Sequence, residues 1–186
     1  MMWILVLVAI CGIVLVACSG KETPAPPANI PPPAYLRTDL LYAYFGSNVE
    51  QIEETKDHVN AHMVMNWGGN ENQLQGMISA VKAGMKLIVE IPQAYEGEST
   101  LRLRFNTFQE NGLLEHVIMW YPVDEPEKQG YDEQKVLNAN NLLRTVSTEH
   151  GLKIPIGVIY SADFNFPGIS SYDYVGFDNY DAGDKI

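Results

Sequence analysis

The chain has 186 residues, 46% hydrophobic and 19% charged, enough for one domain with a buried core. Asp and Glu number 23 against 12 Lys and Arg, a formal net charge of −11. A surface that negative repels phosphate backbones and no basic cluster offsets it, so nucleic acid is disfavoured as a partner.

Residues Trp3 to Ala17 form an apolar run without a charged side chain, followed by Cys18-Ser19-Gly20. The run falls short of the ~20 residues a membrane-spanning helix needs and fits a signal-peptide core. Leu15-Val16-Ala17-Cys18 resembles the bacterial lipobox, although no Lys or Arg precedes the apolar core. The resemblance implies a lipoprotein signal over 1–17, lipidation at Cys18, and a lipid-anchored place in the bacterial cell envelope. The only other cysteine, Cys11, lies inside the apolar core, so the remaining chain has no thiol for a disulfide or a metal. Residues 18–34, rich in proline from Lys21 to Ala34, read as a tether that holds a domain of residues 35–186 off the membrane.

Within that domain strand and helix patterns alternate. Asp39 to Phe45 reads as a strand, and Ser47-x-x-Glu50 as a capping box opening a short helix to about Lys56. His58 to Trp67 is a second strand. Leu74, Met77, Ile78 and Val81 recur at helical spacing, with Gly84 as the stop. Lys86 to Ile91 is a third strand, stopped by Pro92, and a helix around Thr100 to Glu110 buries Leu101, Phe105 and Phe108. The continuous apolar run Val117 to Trp120 reads as a fourth strand covered on both faces. Asp132 to His150 is a long helix closed by Gly151. Ile154 to Tyr160 and Tyr174 to Phe177 complete six strands.

Repeated strand-helix units imply an α/β fold with parallel strands and right-handed crossovers. No Gly-rich phosphate loop follows the first strand, and nearly every strand ends on polar or aromatic residues. Those ends are Tyr44, Asn66 with Trp67, Glu90, Tyr121, Tyr160, and Asp178 with Tyr180. A closed barrel collects such ends around one pocket, whereas an open sheet concentrates its ligand at one switch point. The expectation is therefore a parallel (β/α) barrel of the TIM type. A complete one takes ~250 residues, so the stretch from residue 35 is expected to hold about six units, a truncated barrel.

The candidate site is Asp124-Glu125-Pro126, two adjacent acids where the fourth strand opens into a loop. Pro126 forbids further ladder pairing there. The bland alternative is that Glu125 caps the next helix or pairs with Lys128. Tyr44, Asn66, Trp67, Glu90, Tyr121, Tyr160, Asp178 and Tyr180 are the candidate substrate-binding residues. His58 and His62 fall four apart in a strand with no acid at ligand spacing, so no metal and no cofactor is expected.

Trp120-Tyr121-Pro122-Val123-Asp124-Glu125-Pro126 resembles the fourth-strand segment of the retaining glycoside hydrolases of the large (β/α)8 clan that includes cellulases and β-galactosidases. Those enzymes typically carry Asn-Glu-Pro there, and Asp124 stands in place of the Asn. Asp173 to Tyr180 is similar to their sixth-strand segment. The resemblance implies that Glu125 is a general acid/base acting on carbohydrate and that Asp124 tunes or orients it. An ionised Asp124 disfavours a second negative charge beside it and so helps keep Glu125 protonated. The clan's nucleophile lies at the end of a seventh strand, so a six-unit chain is expected to lack it. Two other functions fit: a non-catalytic surface lipoprotein binding carbohydrate or protein, and a substrate-assisted N-acetylhexosaminidase-like enzyme using the Asp124-Glu125 pair.

Overall fold

The computed structural model describes residues 43–46, 49–161 and 165–178. Six strands alternate with helices: β1 (Ala43–Gly46), α1 (Val49–Thr55), β2 (Ala61–Val64), α2 (Asn70–Lys82), β3 (Lys86–Glu90), α3 (Gln93–Glu96), α4 (Glu98–Glu110), β4 (Val117–Tyr121), α5 (Glu133–Glu149), β5 (Gly157–Ser161) and β6 (Tyr174–Asp178). Short 3-10 turns at Leu114–His116 and Ile169–Ser171 lead into β4 and β6.

All the ladders are parallel. Strands β1 to β4 lie in sequence order and β5 pairs with β6. Bridges from Trp120 to Ile156 and from Asp124 to Ile159 join the two sets. The order is therefore sequential throughout, as expected of a TIM-type barrel, and among the described residues β6 and β1 are not paired to each other.

The two faces of the sheet differ in what covers them. On the outer face Val64, Leu87, Val89, Trp120 and Val158 pack against Ile52, Met77, Leu101, Phe105, Phe108 and Leu143 of the helices. On the inner face Met63, Met65, Ile88 and Tyr121 cluster with Met119 and Ile159, so that face is closed by strand residues alone. A register shift between Leu87 and Ile88 leaves Ile118 without a partner residue on β3, and Ile118 and Met119 both join the inner cluster. A cavity of about 280 Å³ lies over this face and touches β1 and β6 together, lined by Phe45, Met63, Ile88, Met119, Ile159 and Gly176 among others. Contact with both ends of the sheet shows that it curls as a barrel wall does.

Local signals explain most boundaries. Asp132 caps α5 by accepting from the Lys135 N–H at 2.8 Å. Gly84 and Gly151, both with φ near +75° (80° and 73°), follow α2 and α5 in the left-handed conformation that ends a helix. Strand β5 starts at Gly157 and not at Ile154, because Pro155 has no N–H to give a ladder. Strand β2 starts three residues later than His58 and stops at Val64, leaving Asn66 and Trp67 in the loop above it. The stripe expected on α2 is rotated: Gln73, Gly76, Met77 and Ala80 are buried, while Leu74, Ile78 and Val81 are only partly covered. The first half of the expected first strand, the Ser47 of its capping box, Cys18 with the segments before residue 35, and Tyr180 lie outside the described residues. No described helix is long and apolar enough to cross a membrane.

His62 is wholly buried on the outer face of β2 beside Tyr44, with ring centroids 5.9 Å apart, and neither ring nitrogen has a hydrogen-bond partner. Burial pushes its pKa down to about 4. The folded chain thus keeps His62 neutral while the unfolded chain protonates it near 6.5, so stability present above that pH is lost as pH falls toward 4. Urea denaturation at pH 7.5 and 4.5 is expected to show a loss of the order of 2 kcal/mol that His62→Leu abolishes. Equal losses in both proteins would show that His62 does not titrate across the transition.

Candidate active site

The inner-face residues at the carboxyl ends of the strands form the mouth of the curled sheet. Glu90 ends β3 opposite Tyr121 of β4, in register with it. The Glu90 carboxylate accepts a short hydrogen bond from the Asn66 N–H, which fixes the loop above β2 to the end of β3. The Tyr121 hydroxyl donates to Asp124 Oδ1. Burial raises the Glu90 pKa; the Asn66 N–H works against this, and the nearby Asp124 charge adds to it. Burial also pushes the Tyr121 phenol up, with Asp124 and Glu90 contributing, so Tyr121 stays a proton donor at any working pH. Asn66, Glu90, Tyr121 and Asp124 therefore form one coupled group. It carries two carboxyl groups, one of which is favoured in its neutral form.

Glu125 is placed differently from its neighbour. Its backbone N–H donates to the Ile159 carbonyl at 3.0 Å, and its own carbonyl accepts from the N–H groups of Lys128 and Gln129. The side chain is 16% exposed and lies 3.3 Å from Lys128 Nζ. The ion pair of the bland alternative is thus present. Glu125 is also the non-glycine residue with positive φ, 44°, among those described. For a side chain of this kind the left-handed region is disfavoured, and such strain persists where surrounding structure over-determines it. The strand-to-loop junction at the acids is held that way by β5.

The next acid was not singled out by sequence. Glu127 Oε1 accepts from both the N–H and the hydroxyl of Ser161, each at 2.6 Å, while Oε2 is buried without a hydrogen bond. It pins the loop after β4 to the end of β5. The one available signal was spacing, the third acid in Asp124-Glu125-Pro126-Glu127, and nothing in spacing separates a pinning acid from a reacting one.

The remaining candidates divide between mouth and core. Trp67 is 52% exposed at the mouth, its ring edge-on to Phe45 with centroids 4.8 Å apart. Asp178 ends β6 in register with Ser161. Tyr160, by contrast, is turned to the helix side: it is fully buried, donates to the Pro167 carbonyl at 2.7 Å, and sits among Phe166, Tyr172 and Phe177. Tyr44 likewise pairs in register with His62 and stacks on it, away from Glu90, although it borders the inner cavity. These two tyrosines are therefore not gathered with the acids. Continuous apolar strands carry no alternation from which to tell the two faces apart. Among the described residues no cluster of His, Cys, Asp and Glu is arranged to hold a metal ion.

No family model and no curated protein matches the chain. Two solved structures from Rhizomucor miehei are similar to it in fold. One is a glycoside hydrolase family 17 β-1,3-glucanosyltransferase, with TM-score 0.55 and 13% identity. The other is an active-site mutant of the β-1,3-glucanosyltransferase in complex with laminaritriose, with TM-score 0.54 and 15% identity. Each alignment covers 74% of this chain and 56% of the other, so the chain spans just over half the length of these neighbours. The fold shared with these neighbours is the parallel α/β wall of a TIM-type barrel.

Carboxyl coupling at the mouth has a measurable consequence. A raised carboxyl pKa means that the folded state resists ionising Glu90, so this destabilisation is absent at low pH and grows as pH rises through the folded value. Glu90→Gln keeps an acceptor for the Asn66 N–H and removes the charge. It should raise Tm measurably at pH 8 and change it little at pH 4. A lower Tm at pH 8 would mean that the carboxylate is stabilising where it lies.

Proposed function

We propose that this chain is a glycoside-hydrolase-like barrel that binds carbohydrate at its mouth, with Glu125 as the general acid/base and Asp124 as the residue that orients the substrate beside it. The observation that carries the reading is the coupled group Asn66-Glu90-Tyr121-Asp124 next to an exposed indole, on a fold shared with a β-1,3-glucan-transferring enzyme. Glycoside cleavage protonates the leaving oxygen from one carboxyl group while a second stabilises or attacks the anomeric carbon. Glu125 is the acid in this scheme: 16% exposed, it reaches the surface with Lys128 as its partner in the absence of sugar. Asp124, tied to Tyr121, has a fixed direction and suits recognition of a substrate hydroxyl. The attacking carboxylate in this reading belongs at the end of a seventh strand, and the six described strands supply the acid and the binding residues.

A second reading, the substrate-assisted one, is favoured by the Tyr121–Asp124 hydrogen bond. An aspartate so held could orient an acetamido group, which then serves as the internal nucleophile and removes the need for a seventh-strand acid. Isothermal titration with laminaritriose, cellotriose and tri-N-acetylchitotriose, alongside assays on the matching aryl glycosides, tests both. Wild type and Glu125→Gln are expected to bind with affinities within about threefold of each other, and any turnover of an aryl glycoside to be lost in Glu125→Gln. Turnover confined to N-acetylated substrates and lost in Glu125→Gln would favour substrate assistance. Absence of binding to every glycan would overturn the carbohydrate reading.

We also assign the amino-terminal Leu-Val-Ala-Cys as a lipid-attachment signal that places the domain in the cell envelope behind a proline-rich tether, a reading supported by the motif and the apolar run before it. Metabolic labelling with an alkyne fatty acid in a bacterial host should tag the chain and not Cys18→Ser. Labelling that survives the substitution would remove the assignment.

A further inference from the structure

We infer that a second binding site lies on the helix side of the sheet, between α2 and α4, and takes a small oxyanion that carries its own hydroxyl group, a hydrogen phosphate or a hydroxycarboxylate. It shares no residue with the mouth and stands whether or not sugar binds there.

A cavity of about 240 Å³ opens between the two helices, walled by Asn70, Glu71 and Leu74 of α2, Gln93 of α3, and Thr100 and Arg104 of α4. Two of these side chains are buried, Arg104 at 6% exposure and Gln93 at 2%. A guanidinium is a permanent charge, and burying one is costly unless an anion stands against it. Among the described residues no carboxylate forms an ion pair with Arg104. The guanidinium lies over the Phe108 ring, with Cζ 4.5 Å from the centroid. Its Nη2 is taken by the Gln73 side-chain oxygen and the Asn70 carbonyl, whereas Nε is buried without a hydrogen-bond partner.

Gln93 has the opposite need. Its Nε2 donates to Asn70 Oδ1 at 2.9 Å, and its Oε1 is buried with no donor. Arg104 and Gln93 thus converge on Asn70, one on its carbonyl and the other on its side chain. Together they leave a charged donor and an acceptor unsatisfied at the wall of one cavity, and each carries a desolvation cost that a ligand would recover. The helices add positive potential. Both follow a glycine, Gly69 and Gly97, that gives no side-chain cap, and the first turn of each borders the cavity through Asn70 and Thr100.

Charge and donor count are selected together. A cation is repelled by Arg104, and a neutral alcohol leaves the guanidinium uncompensated. Sulfate or acetate meets the charge but has no proton to give Gln93 Oε1. A hydrogen phosphate or a hydroxycarboxylate does both. Glu71 opposes any of them: exposed and hydrogen-bonded to Gln75 Nε2 at 3.0 Å, it acts on Arg104 only through its field.

The test titrates phosphate, sulfate, glycolate and acetate into the full-length chain, against sodium chloride at matched ionic strength. NMR follows the Arg104 Nε–H and the Gln93 side-chain amide. Phosphate is expected to move both signals saturably and to bind at least about threefold more tightly than sulfate, with glycolate ahead of acetate by a similar factor. The tighter of phosphate and glycolate then identifies the group. Arg104→Lys, which keeps the charge and loses the Nε–H, should weaken binding about tenfold, read at Gln93. Glu71→Gln should tighten binding about twofold and leave Tm unchanged, because it removes a competing charge and no hydrogen bond of Arg104. A response no larger than that to chloride would overturn the site, as would sulfate matching phosphate and acetate matching glycolate. A fall in Tm for Glu71→Gln without tighter binding would also overturn it, since Glu71 would then be the counter-ion that Arg104 requires.

Discussion

One buried amide sets the geometry of the mouth. Gln73, on the covered side of α2, donates its Nε2 to the Val64 carbonyl at 3.1 Å and to the Glu90 carbonyl at 2.6 Å, so a single side chain ties the carboxyl ends of β2 and β3. Its oxygen in turn accepts from Arg104 Nη2 at 2.7 Å, and Arg104 also donates to the Asn70 carbonyl. Burial without a carboxylate in hydrogen-bond contact pushes Arg104 down to about 10, yet it remains charged at neutral pH. A charged donor polarises the amide it binds and strengthens the two bonds the amide gives away. Where Asn66 offers its N–H and where Glu90 presents its carboxylate both follow from that fixed point.

A polar network of this sort is invisible to pattern reading, because it sits where the pattern says apolar. The α2 stripe was expected on Leu74, Met77, Ile78 and Val81; the face in contact with the sheet is centred one position earlier and begins with a glutamine. Strand order, helix positions and the parallel sense were legible, since each rests on repeated signals: proline and glycine stops, an aspartate cap, apolar runs of strand length. Which side of each strand faces inward was not. Tyr121 and Glu90 end on the mouth, whereas Tyr160 and Tyr44 face the other way, and no feature of IPIGVIY or DLLYAYF tells these outcomes apart. A one-residue change of parity or a single bulge, like the one between Leu87 and Ile88, exchanges the faces.

The acids show the same division between identity and placement. Sequence drew attention to Asp124 and Glu125 because paired carboxylates between prolines are costly in a strand. It also implied that each would act on the other. In the fold their backbones run beside β5, and the partner that Asp124 influences is Glu90, from a strand about thirty residues earlier. Glu127, one residue beyond Pro126, spends one oxygen on Ser161 and is the anchor of the loop. Three acids within four residues thus have three different surroundings. Only the β4-to-β5 bridging geometry, with Glu125 held at φ 44°, assigns them.

Taken as electrostatics, this arrangement limits what can dock at the mouth. Glu90, Asp124, Glu125 and Glu127 all sit in or near it, on a chain already strongly acidic, with Lys128 as the cation paired to one of them. An anionic ligand would meet uncompensated repulsion at short range, where water screens poorly. A cationic ligand is attracted, but among the described residues no acid cluster has ligand geometry for a metal. A neutral ligand dense in hydroxyl donors suffers neither penalty. Its hydroxyls suit carboxylate oxygens that would otherwise hold water, and an apolar C–H surface suits the exposed Trp67 ring. Both halves of the mouth are then satisfied by one molecule. That complementarity, more than any single acid, is the physical reason to look for a sugar there.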